Sequence, residues 1–160
     1  MPSPDLLDPT TETFWRHIGT AVLCGGAIGL ERQVRGKVAG MRTAILITLG
    51  TTFFVAESAA LVPANLDPTR VIGQVVTGIG FLGAGVILAR GDRRVGVTTA
   101  AVIWLLAAIG SLIGFGYLYA AMVGTLLALL VLVGMEGIER LLLRGPEQRG
   151  SGVHGIIDDE

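Results

Sequence analysis

A chain of 160 residues that is 51% hydrophobic and 16% charged, with a mean hydropathy of +0.68, is not a soluble domain, which would carry about a quarter of its residues as charges. Twelve basic against thirteen acidic residues leave a formal charge of −1, so there is no global electrostatic case for nucleic acid as a partner. One cysteine, Cys24, excludes an internal disulfide and a cysteine metal cluster.

At about 20 residues per span, the length holds five spans with little left over. The expected fold is all-α, a polytopic membrane bundle of about five transmembrane helices. Residues 1–13 read as a flexible N-terminal arm rich in Pro2, Pro4, Pro9, Asp5, Asp8 and Glu12, with Thr11 or Thr13 capping span one. No basic start precedes the first apolar run, so a cleaved signal peptide is not expected. The membrane domain is placed at 14–138 and a short cytoplasmic tail at 139–160.

Span one runs from about Phe14 to Leu30, with Trp15, Arg16 and His17 at the interface and Gly25 and Gly29 at a four-residue spacing that lets two backbones approach closely. The seam 31–42 comes next and is the densest charge cluster: Glu31, Arg32, Arg35, Lys37 and Arg42, interrupted by Gly36 and Gly40. Span two covers roughly Thr43 to Val62 and contains Glu57. Asp67 or Thr69 then caps span three, which runs over Ile72–Leu88, seventeen residues with no charge and five glycines. On it Gly73, Thr77, Gly80 and Ala84 fall near one helical face, a groove of small residues for a partner helix. So many glycines predict a helix central in the bundle or locally distorted. Span four runs from about Val97 to Phe115, and Gly110 and Gly114 repeat the close-packing spacing. Gly114, Phe115 and Gly116 form a tight turn. Span five, Tyr119 to about Met135, has few polar groups and is expected to face lipid.

Counting basic residues by side orients these spans. The N-terminal arm, the 63–71 seam and the 114–118 turn share two, Arg16 and Arg70, whereas the 31–42 seam, the 90–96 seam and the tail share ten. Short basic loops stay cytoplasmic. The N-terminus is therefore expected outside and the C-terminus in the cytoplasm.

Chemistry must be sought in the polar seams. An ionisable group within a span is expensive and is paired or lines a polar path, so Glu57 is either a cation site or a hydrogen-bonded acid near the interface. Glu57 with Asp67 would offer two hard oxygen ligands to Mg2+, although a helix cap alone accounts for Asp67. Asp67 and Arg70 are three apart and in pairing range. On the inner side the strongest cluster is Glu31, Arg35, Lys37 and Arg42. Glu31 and Arg35 are four apart with the acid first, the favourable helical order. An ordinary positive-inside loop explains the positive sum of that seam but not Glu31. Gln74, Thr77, Thr98 and Thr99 are polar enough to line an interhelical seam, and equally able to donate to neighbouring carbonyls and serve only packing. No nucleophile elbow, histidine pair or phosphate-binding loop with its lysine appears, so no enzymatic activity and no cofactor beyond Mg2+ is expected.

Three blocks, ERQVRGKVAGMRTAILITLG, DPTRVIGQVVTGIGFLGAGVIL and VGVTTAAVIWLLAAIG, closely resemble the signature blocks of the MgtC/SapB family of bacterial inner-membrane proteins. The resemblance covers roughly residues 15–135. It places the family's signature positions on Glu31, Arg35, Lys37, Arg42 and Thr43, on Asp67, Arg70 and Gln74, and on Thr98 and Thr99. It implies a multi-pass inner-membrane protein serving adaptation to low magnesium or stress, with a membrane partner such as ATP synthase. The alternative it implies is a Mg2+ transporter or channel, in which a homo-oligomer would pool acidic groups around an axis. Longer members carry a cytoplasmic C-terminal domain. With the chain ending at Glu160, the membrane domain is expected to be the whole working part.

Overall fold

A computed structural model of the chain describes residues 6–61, 69–89 and 93–142. It is all-α. The elements are α1 (Glu12–Val34), α2 (Met41–Leu61), α3 (Thr69–Ala89), α4 (Arg93–Gly114) and α5 (Leu118–Leu142). Each corresponds to one of the five expected spans, although Phe115, expected in span four, follows the end of α4, and Val62, expected in span two, lies outside the described residues. The described part of the N-terminal arm is not an open coil. Leu6 is buried, Asp8 accepts from the Thr10 amide and hydroxyl, and the Trp15 indole donates to the Pro9 carbonyl. Of the two candidate caps, Thr11 takes the role, accepting from the Phe14 amide.

Two glycines end helices by the same device. Gly36 has φ +65° and Gly116 φ +88°, in the left-handed region that glycine enters at no steric cost. The Gly36 amide donates to the Gln33 carbonyl and the Lys37 amide to the Arg32 carbonyl; Gly116 and Tyr117 repeat this with Ile113 and Leu112. Both are paired six-to-one and five-to-two closures that satisfy the last carbonyls of a helix. They turn α1 back onto α2 and α4 back onto α5 within a few residues.

Helices α2 to α5 are each long and apolar enough to cross a bilayer. Arg16, His17, Glu31 and Arg32 dilute the ends of α1, which falls short of that measure. Yet α1 lies antiparallel to α2 along its whole length. A Cβ on Gly29 would lie 2.6 Å from Met41 Cα, one on Gly25 would lie 2.9 Å from the Ala44 carbonyl oxygen, and at the far end the Phe14 and Phe53 rings are 6.4 Å apart. Whatever depth α2 spans, α1 spans with it.

The core is built from Ala21 and Ile28 of α1, Ala44 of α2, and Leu106, Ile109 and Ile113 of α4. Hydroxyls within it are satisfied by their own helices: Thr48, Thr125 and Ser111 each donate to the carbonyl four residues back. Thr52 reaches two carbonyls, Thr48 in its own helix and Gly110 across the interface. Such back-bonding makes a polar side chain tolerable where no water is available.

The arrangement corrects the expectation of a central α3 and leaves that of a lipid-facing α5 in place. Half of the apolar stretch of α4 is buried within the chain, against 6% for α3, so α4 and not α3 is central. The α5 stretch is 17% buried, so α3 is barer than the helix assigned to lipid. Helix α3 packs mainly on α4, where Gly83 meets Ala100 and Gly96 meets Ile87. Its many glycines made it thin without drawing it inward.

Candidate functional site

The inner cluster is created by the helical register at the end of α1. His17, Ala21, Cys24, Ile28 and Arg32 are buried and succeed one another at steps of four or three, one continuous stripe facing the bundle. Arg32 is therefore the last member of the buried stripe, 3% exposed, and not a loop cation. Its Nη2 donates to Thr99 Oγ1 on α4 at 3.1 Å, both groups being buried. Its Nε is buried with no hydrogen-bond partner among the described residues.

One residue back and a hundred degrees round the helix, Glu31 forms an ion pair with Arg35. The Glu31 side chain is 9% exposed and that of Arg35 22%, so the pair is largely withdrawn from solvent. The other Glu31 carboxylate oxygen, Oε2, has no hydrogen bond among the described residues. Two guanidinium groups and one carboxylate thus stand within five residues at the end of α1, a net positive patch partly removed from water. Gln33 closes the arrangement: its Oε1 accepts from the Met41 amide, the first of α2, so the inner turn is tied to both helices it joins.

The sequence-derived residues separate into two groups. Glu31 with Arg35, and Thr99 with Arg32, come together at the inner end. Thr98 is exposed beside buried Thr99, and Arg42 and Thr43 are exposed. Lys37 is half-buried, and neither it nor Arg42 forms an ion pair among the described residues. Arg70 and Gln74 lie at the opposite end of the bundle, where Gln74 and Glu57 line a groove of about 590 Å3 between α2 and α3. Asp67, in both the polar set and the proposed metal pair with Glu57, lies outside the described residues. No group of three His, Cys, Asp or Glu side chains is gathered among the described residues.

The helix-packing positions also divide. Gly25 and Gly29 press directly on α2. A Cβ on Gly110 would lie 2.6 Å from the Thr48 carbonyl oxygen, and one on Gly114 would lie 2.7 Å from Val55 Cβ, so α4 seats on α2 through both glycines. Gly73 and Gly80 have nothing within 4 Å of a Cβ position, and Thr77 and Ala84 are exposed. Small residues line that face of α3, and no described helix of this chain covers it.

Sequence reasoning counted Arg32 only as a cation of the seam, without its buried role, and missed Gln33. The four-residue step from Ile28 to Arg32 was the available signal for the first. Gln33 carries no such signal, because its role depends on where the turn returns the chain.

A model of the MgtC family matches residues 18–141. A protein of Escherichia coli (strain K12) named "Putative magnesium transporter YhiD" is 48% identical over 130 residues, 77% of this chain and 60% of that protein. Protein MgtC of Brucella abortus (strain 2308) is 42% identical over 131 residues, 82% of this chain and 55% of that protein. Protein SrpB of Synechococcus elongatus is 42% identical over 134 residues, 76% of this chain and 74% of its own. The chain thus spans less than two thirds of the length of the first two relatives. No solved structure matches it.

Proposed function

The chain belongs to the MgtC family, and from that premise we propose that it is an inner-membrane regulatory protein that serves adaptation to low magnesium or stress by docking on a membrane partner such as ATP synthase. The orientation we adopt puts the N-terminus outside and the C-terminus, with the Arg32 cluster, in the cytoplasm. The excess of basic residues on that side supports it.

The observation that carries the proposal is the face of α3 that none of the described helices covers. Between lipid-exposed helices there is no hydrophobic driving force, so small residues gain only where another backbone packs closely against them. On α1 and α4 those contacts are made within the chain. On α3, Gly73, Thr77, Gly80 and Ala84 stay exposed along one face, while glycine in a helix costs about 0.5–1 kcal/mol relative to alanine. Thr77 folds its hydroxyl onto the Gly73 carbonyl, which leaves the face smooth and free of unmet donors.

Affinity capture of the full chain from native membranes in mild detergent tests this. The membrane sector of ATP synthase is expected in the eluate, and Gly80→Leu is expected to remove it while the chain itself is recovered at the same level. Capture without ATP synthase, or capture indifferent to Gly80→Leu, would sink the proposal. Recovery of a second copy alone through this face would replace the partner by the chain itself.

A Mg2+ carrier is the second reading, favoured by the name of the E. coli relative and by Glu57 in the groove between α2 and α3. Mg2+ demands near-octahedral oxygen ligands and sheds water reluctantly, so a carrier would draw on Glu57 together with Asp67. Magnesium flux into liposomes holding the pure chain, lost in Glu57→Ala, would decide for it. Flux equal to that of empty liposomes decides against it.

A further inference from the structure

We propose that the groove between α2 and α3 holds one aminophospholipid of the bilayer, with its ammonium on Glu57, its headgroup oxygens at Ser58, and one acyl chain along the apolar wall. The groove encloses about 590 Å3, within the roughly 300–1,000 Å3 of small-molecule sites. It lies between two helices that touch only weakly, so it opens sideways toward lipid.

Its lining is graded along the membrane normal. Glu57 and Ser58 stand about one turn from the end of α2, and Gln74 stands in the second turn of α3. Toward the middle of the bundle the wall becomes Phe54, Val75, Ile79 and Leu82, with Thr51 the one hydroxyl among them, while Val71 joins the polar residues at the outer end. A polar end near the surface and an apolar end near the midplane is the polarity profile of a phospholipid.

Two groups at the polar end specify the head. Ser58 Oγ is buried and has no hydrogen-bond partner among the described residues. That sets it apart from Thr48, Thr52 and Ser111, which all bond to their own backbone. An orphaned hydroxyl away from water carries its full desolvation cost, and an occupant that brings an acceptor relieves it once the Ser58 side chain turns about χ1 toward the groove. Among the described residues, Glu57 is the only charged side chain lining the groove, and no ion pair involves it. Glu57 is exposed on this side of α2, about one turn from the helix end, and a carboxylate facing lipid there favours a cation, preferably one with N–H donors.

Phosphatidylethanolamine supplies an N–H-bearing cation, phosphate and ester acceptors beside it, and an apolar chain. Phosphatidylcholine brings a cation with no N–H. Phosphatidylglycerol brings no cation and sets a phosphate against the carboxylate. The proposal does not depend on the protein partner of α3, because the groove uses the Gln74, Gly78 and Leu82 side of that helix and leaves the Gly73 and Gly80 side free.

The purified full chain is placed in nanodiscs of phosphatidylethanolamine, phosphatidylcholine and phosphatidylglycerol in equal parts. The lipid retained after detergent release is counted by native mass spectrometry. One phosphatidylethanolamine per chain is expected, favoured about tenfold or more over either competitor, the factor for a hydrogen bond to a charged group. Glu57→Gln should bring that preference down to parity with phosphatidylcholine. Ser58→Ala should weaken retention without changing the preference for an amine. Leu82→Trp, which fills the apolar end, should abolish retention of all three.

Equal retention of the three lipids, preference for phosphatidylglycerol, or an amine preference that survives Glu57→Gln overturns the proposal. So does a Val75→Cys chain whose new thiol cross-links to another protein chain in lipid, since the groove would then hold a helix. Unchanged helical content and size for each variant establishes that the loss is local.

Discussion

The glycine pairs of α1 and α4 stand four residues apart, the small residues Gly73, Thr77, Gly80 and Ala84 of α3 recur at steps of four and three, and the two sets meet opposite ends. Gly25, Gly29, Gly110 and Gly114 are pressed against α2 so closely that a methyl group on any of them would collide. Gly73 and Gly80 face open space. The difference lies in the receiving surface. Helix α2 presents Ala44, Thr48, Thr51 and Val55, small or β-branched residues, with the Thr48 hydroxyl turned onto its own backbone, so two helices can lie against it. The main neighbour of α3 is α4, which takes only the Gly83 side. A small-residue spacing therefore marks a helix that can be approached closely and leaves open what approaches it.

The largest effect on this contrast is expected from Gly110→Ala. The added methyl would meet the Thr48 carbonyl oxygen at 2.6 Å and Thr51 Cβ at 2.9 Å, and the carbonyl is backbone that cannot swing aside. Overpacking of this kind costs about 1–3 kcal/mol, read as a lowered midpoint in thermal or detergent-driven unfolding. A neutral Gly110→Ala would mean that α4 does not seat on α2 as described. Thr99→Val comes next. It leaves Arg32 Nη2 without its 3.1 Å partner in a buried site, and stranding a buried donor costs about 1–3 kcal/mol. Thr98→Val, one residue away and exposed, is the control and is expected within about 0.5 kcal/mol of the parent.

These two predictions also mark where the sequence was readable. The number of helices, their approximate limits and the Glu31–Arg35 pair come from apolar run length and i,i+4 spacing, both local quantities. Arg32 was hidden by the company it keeps. Counted as one cation in a basic seam, it satisfied the positive-inside rule. Placed in register after Ile28, it belongs to the buried stripe. His17 is similar: assigned to the membrane edge with Trp15 and Arg16, it is 7% exposed, and its Nδ1 lies 2.7 Å from the Thr13 carbonyl oxygen. The outer position of α3 was not legible at all, because five glycines fit a central helix and a bare one equally well. Only contacts between residues far apart in the chain separate the two cases.

A smaller effect tests the inner cluster. Glu31→Gln keeps the shape and removes the charge that Arg35 answers. Because Arg35 is partly exposed, the stability lost is expected at about 1 kcal/mol or less. If the cluster acts as a specific clamp, the variant should impair complementation of growth in low magnesium at an unchanged membrane level. If only the positive sum of the seam matters, growth should be untouched.

The smallest expected effect is the most discriminating for α3. Gly80→Ala adds a methyl group where nothing lies within 4 Å, in a helix where alanine is favoured over glycine by about 0.5–1 kcal/mol. The isolated chain should be unchanged or slightly stabilised, the reverse of Gly110→Ala for the same chemical change. Partner capture should fall in the same variant, since a helix seated on this face meets the methyl group at close range. Stability and capture moving in opposite directions would show that the glycine is retained for a contact outside the chain. If capture is indifferent to Gly80→Ala and to the bulkier Gly80→Leu alike, the α3 face is merely thin and faces lipid.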